Sequence, residues 1–140
     1  MDKILNPYLI LIIYLLAAAY WDIRCLAVPM RVNFFAFTGW LVCTHEGRLE
    51  SLAAASAAAL FVYFIFELFG RIRKSAVLGR GDIYIIFIIG LFLEFDVFLN
   101  AVFLACIFAL VMACMLCIFT GPSVFPLAPA FLFGTLAALW

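Results

Sequence analysis

Two carboxylates are the residues of this chain best placed to do chemistry. Asp82 closes the tetrapeptide Gly79-Arg80-Gly81-Asp82, with Ala76-Val77-Leu78 before it and Ile83-Tyr84-Ile85-Ile86 after it. Asp22 follows the long apolar run Ile4 to Trp21. An ionisable side chain carried to membrane depth costs several kcal/mol, so it marks a functional site whose partner must be found. Two facing carboxylates can hydrolyse a peptide without a metal. Like charges that close share one proton, and the pair titrates as a unit. The ionised member takes a proton from water, and the protonated member polarises the carbonyl and later helps protonate the leaving amine. Gly79 and Gly81 leave room for a substrate backbone, or for the helix of Asp22, to come close. A non-enzymatic role needs the same two residues. In that alternative the chain is a small polytopic membrane subunit of a transporter or secretion assembly, and the aspartates form a proton or cation site.

The elements that position these residues follow from composition. Of 140 residues, 71% are hydrophobic and 11% charged, with a mean hydropathy of +1.32. Soluble domains are nearer half apolar and a quarter charged. The solvent of this chain is therefore lipid, and the expected fold is an all-α integral membrane protein forming a single membrane-embedded domain over residues 1–140. Six helices are expected, over Ile4 to Trp21, Pro29 to Cys43, Ser51 to Phe69, Ala76 to Phe95, Val97 to Phe119 and Val124 to Trp140. The fourth is interrupted by the tetrapeptide and closed by Glu94-Phe95-Asp96. Pro29 suits a helix start, where its missing N–H costs nothing. The alanines after Ser51 permit close helix packing, and the bulky Phe61 to Phe66 stretch suits lipid.

Basic residues orient the spans. With the N-terminus outside, the inner loops hold Arg24, Arg31, Arg71, Arg73, Lys74 and Arg80, six of the eight basic residues. Asp2, Glu46, Glu50, Glu94 and Asp96 then lie outside. This N-out, C-out arrangement puts Asp22 and Asp82, sixty positions apart, at one depth on the cytosolic side. The cluster Arg71-Ile72-Arg73-Lys74 is suited to anionic lipid headgroups.

The remaining polar residues narrow the function. Zero net charge and the lack of a basic stripe argue against a nucleic-acid partner. Cys25, Cys43, Cys106, Cys114 and Cys117 are odd in number, and the C-x-x-C of Cys114 and Cys117 lies inside an apolar run, as small membrane-helix residues do. No second Cys or His pair completes a zinc set, so no metal or other cofactor is expected. His45, the one histidine, sits in the polar turn Thr44 to Glu50 and reads as a solvated loop residue.

Taken together, these motifs resemble the type IV prepilin (leader) peptidases, membrane aspartic proteases with a Gly-x-Gly-Asp motif. Asp22-Ile23-Arg24 followed by Val28-Pro29, the Gly79-Arg80-Gly81-Asp82 motif, and the late stretch Phe125-Pro126-Leu127-Ala128-Pro129-Ala130-Phe131 occur in the family's order across almost the whole chain. The resemblance implies a catalytic pair of Asp22 and Asp82 in a prokaryotic cytoplasmic membrane. It implies as substrate the leader of pilin, pseudopilin or flagellin-like precursors, cut at the cytosolic face. The chain is similar to the small members associated with Flp-type (tight adherence) pili, which implies peptidase activity without methyl transfer. Pro126 and Pro129 are expected to break the last helix beside the site and keep backbone groups free for an extended substrate. Two positions depart from the family pattern. Met30 follows Pro29 where Asn is frequent, and Ile83-Tyr84 follow Asp82 where Lys is frequent.

Overall fold

A computed structural model describes residues 6–43, 48–73, 80–120 and 126–140. Gly79, His45, the Thr120 to Ser123 turn beyond Thr120, and the side chains of Arg71 to Lys74 and Cys117 lie outside what it describes. Among the described residues there are six helices and no strand: α1 (Pro7–Cys25), α2 (Met30–Cys43), α3 (Arg48–Arg73), α4 (Arg80–Phe92), α5 (Phe95–Thr120) and α6 (Ala128–Ala138).

Several boundaries differ from expectation. The first helix does not stop at Trp21. It runs to Cys25, so Asp22 belongs to its last turn and not to the junction beyond it. The fourth helix opens at Arg80, which puts Asp82 in its first turn. Phe95 and Asp96 open α5 and do not close α4; only Leu93 and Glu94 separate the two helices. The carbonyl of Glu94 accepts from the Phe98 N–H (2.8 Å) and starts α5 there. Two helices, Pro7–Cys25 and Phe95–Leu116, are long and apolar enough to cross a membrane. The apolar helices α2 (14 residues), α4 (13) and α6 (11) are shorter. At 1.5 Å per residue they reach about 16–21 Å, against a hydrocarbon core of ~30 Å.

α4 is the hub of the bundle. It packs against every other helix. Ile85, Ile86, Ile88, Ile89, Leu91 and Phe92 are all buried, so both sides of the helix are covered. The outer helices instead bury one stripe each. On α1 the stripe is Leu11, Tyr14, Leu15, Ala18, Ala19 and Asp22, the spacing of a single helix face. On α2 it is Asn33, Ala36 and Trp40. The opposite faces stay apolar yet exposed: Leu9, Ile13 and Leu16 on α1, Phe34 and Phe35 on α2, Phe103, Leu110 and Val111 on α5. Large exposed side chains of this kind on every outer helix suit a lipid surround.

Small residues set the closest crossings. α3 meets α4 where Ala55 faces Gly90; a Cβ on that glycine would lie 3.1 Å from the Ala55 Cα. α6 meets α5 more tightly still, at Gly134 against Ala101 and Ala105.

α1 ends on a left-handed cap. Leu26 has φ 51° and ψ 32°, and its N–H donates to the Asp22 carbonyl (2.8 Å). Leucine pays about 1–2 kcal/mol for this conformation because Cβ crowds the following carbonyl. Leu26→Gly is therefore expected to stabilise the protein by about 0.5–1 kcal/mol, net of the extra freedom of glycine in the unfolded chain. Thermal unfolding in detergent reads this, and a lower midpoint would count against the strain.

Candidate active site

The sharp turn at Leu26 sends the chain through Ala27 and Val28 to Pro29, whose carbonyl accepts from the Val32 N–H (3.0 Å) and opens α2. This link passes in front of the first turn of α4. Between them lies a cleft of about 370 Å³. Asp22 and Asp82 both line it, together with Gly81, Val28, Met30, Asn33 and Tyr84. The two aspartates read from the sequence thus come from the last turn of one helix and the first turn of another and meet in one cavity. Asp22 is 7% exposed, and Asp82 is half-buried.

Asp22 is held from the far end of the chain. The Ala128 N–H donates to Asp22 Oδ2 (2.8 Å) across 106 positions of sequence. The first turn of a helix has N–H groups without intrahelical partners. Leu127, the N-cap of α6, has no side-chain acceptor to offer them. Asp22 takes that role from a neighbouring helix, and its carboxylate meets the positive end of the helix dipole. The bond engages one of the two carboxylate oxygens.

The remaining predicted residues fall around this frame. Gly81 lines the cleft, and a Cβ there would stand 3.7 Å from the Val28 nitrogen, an ordinary contact. What comes close to this glycine is the α1–α2 link. Pro29 lies between two cleft-lining residues, Val28 and Met30. Pro129 is buried in the first turn of α6, and Pro126 is half-buried ahead of it; neither lines the cleft. Pro126 does precede a new helix beside Asp22, and Pro129 sits in its first turn. Three backbone donors in the first turn of α6 have partners. The Ala128 N–H bonds to Asp22, the Ala130 and Phe131 N–H groups bond to the Leu127 carbonyl, and Pro129 has no N–H.

Two contributors were not read from the sequence. Asn33 is buried and lines the cleft, and its Oδ1 accepts from the Tyr14 hydroxyl of α1 (2.8 Å). The signal available was the single side-chain amide in α2. The Ala128 N–H could not have been found at all, because a backbone group carries no sequence signature.

A family model described as the type IV leader peptidase family matches residues 9–114. The chain belongs to that family. The match includes both cleft aspartates, Asn33 and the whole of α4, and the family is one of peptidases. With α1 and α5 long and apolar enough to span a bilayer, this leader-peptidase family member is a membrane protein. No curated protein and no solved structure matches the chain.

Proposed function

We propose that this leader-peptidase family member is a membrane aspartic endopeptidase that removes the leader of type IV prepilin-like precursors. Asp22 and Asp82 are its catalytic pair. The observation that carries the reading is that these two carboxylates, sixty positions apart, line one cleft. One carboxylate accepts a proton from water as the oxygen attacks the scissile carbonyl carbon. The carboxyl of the other donates its proton to the carbonyl oxygen. The tetrahedral diol then collapses: a proton reaches the amide nitrogen, the C–N bond breaks, and a carboxylic acid and an amine leave. The anchor from Ala128 keeps Asp22 in place during these transfers. The proposal is for hydrolysis without methyl transfer, as in the small members the sequence is similar to.

Co-expression with a tagged prepilin tests the activity. Leader removal is expected as a mobility shift, and the absence of a shift with every cognate pilin would defeat the peptidase reading.

Six membrane segments with both termini outside, and the cleft at the cytosolic face, complete the proposal. The C-terminal end of α1 meets the N-terminal ends of α4 and α6 at the cleft, which supports placing Asp22 and Asp82 on one side. Reporter fusions at Glu94 are expected to score as external and fusions at Arg73 as cytosolic. The reverse pattern would put the cleft on the wrong face for leader cleavage.

A further inference from the structure

Three polar side chains are buried among the described residues: Asp22, Asn33 and Thr135. Asp22 and Asn33 line the cleft. Asp22 has its partner in Ala128. Asn33 is only half satisfied. Its Oδ1 accepts from Tyr14, while Nδ2 is buried with no hydrogen-bond partner among the described residues. The Tyr14 bond also sets the turn of the amide, because a hydroxyl donor on the oxygen commits the two N–H donors to the other side. Leaving such a donor unsatisfied costs about 1–3 kcal/mol, so a group that supplies an acceptor there is bound with a gain. The cleft's other lining residues from the α1–α2 link, Leu26, Ala27 and Val28, are apolar.

We infer that Asn33 is a substrate-binding residue whose Nδ2 donates to a peptide carbonyl of the leader segment seated in the cleft. The inference rests on the peptidase reading of that cleft. Asn33 grips the backbone, so it binds ground state and transition state alike; Tyr14 positions the amide from behind.

The test uses the purified full chain in detergent with a synthetic peptide spanning the leader and the start of the hydrophobic segment. Asn33→Leu, similar in size without donors, is expected to raise KM about tenfold with kcat within about twofold, the mark of lost uniform binding. Tyr14→Phe breaks the same Tyr14–Asn33 bond but keeps the amide donors, so its KM is expected to rise, by about threefold, less than that of Asn33→Leu. A purely structural pair predicts the opposite, equal effects of both variants on thermal unfolding and none on KM. If Asn33→Leu does not fold, Asn33→Ala, which removes the same donors without adding an apolar branch, gives the same reading. An unchanged KM in an active wild-type background overturns the Asn33 assignment alone. A wild type that cleaves no leader overturns it together with the peptidase reading.

Discussion

Asp22→Asn and Asp82→Asn are each expected to lower leader removal by at least about 10³-fold, within or beyond the range of general acid–base contributions. The double variant should lose little more than either single one, because two groups that act as a unit are not additive. Asn is the informative replacement at Asp22. Its side-chain oxygen can still accept from the Ala128 N–H, so the anchor to α6 survives while the ability to take a proton is lost. Asp22→Ala removes both. It leaves a buried N–H without a partner and is expected to cost about 1–3 kcal/mol of stability that Asp22→Asn does not. The comparison separates chemistry from architecture. Processing by tagged prepilin and thermal unfolding are the two measurements. An Asp22→Asn or Asp82→Asn variant that still processes at near wild-type rate would remove that residue from the dyad.

Gly134→Ala is expected to be the most damaging small substitution away from the cleft. A Cβ on Gly134 would lie 2.5 Å from the Ala105 nitrogen, 2.6 Å from the Ala101 carbonyl oxygen and 2.7 Å from the Ala105 Cα. These are backbone atoms of α5, which cannot step aside singly, so α6 must move off α5 as a unit. Overpacking of this kind costs about 1–3 kcal/mol. The first turn of α6 holds Asp22, so the displacement reaches the cleft as well. A shift near 1 Å in a reacting group can cost about 10²-fold in rate. Activity is therefore expected to fall about that far even at temperatures where the protein stays folded. Gly39→Ala is the control. Its Cβ would meet a single side-chain methyl, Ile10 Cγ2, at 2.9 Å, which clears only if Ile10 shifts or leaves its preferred rotamer. It should lower the unfolding midpoint by less than Gly134→Ala does, because one side chain and not a helix backbone has to give. Equal behaviour of the two variants would mean that the α5–α6 crossing is not the constraint described.

Composition by itself determined that this chain is helical and built for lipid, because nothing soluble could bury an apolar share this large. It also singled out Asp22 and Asp82, since a carboxylate among apolar residues stands out wherever it falls. Helix ends were less legible. From the sequence the first span ends at Trp21, before the charge of Asp22, whereas the buried stripe from Leu11 through Ala18 carries the aspartate inward on one face and the helix continues to a left-handed cap at Leu26. In a chain apolar on every side, that stripe has no polar background to show against, so periodicity could not reveal it. The central position of α4 was hidden for the same reason.

Tertiary structure alone decided what surrounds the aspartates. The Ala128 N–H that anchors Asp22 is a backbone group, available because the first turn of α6 gives it no intrahelical partner. The Tyr14–Asn33 pair joins residues whose types are ordinary and whose spacing of nineteen has no helical meaning. Such contacts depend on which helices are neighbours, and neighbours in lipid are chosen by close-fitting small residues such as Gly134 and Gly90, not by the hydrophobic pattern. The catalytic candidates could be picked out by charge; their geometry is set by packing between helices far apart in the chain.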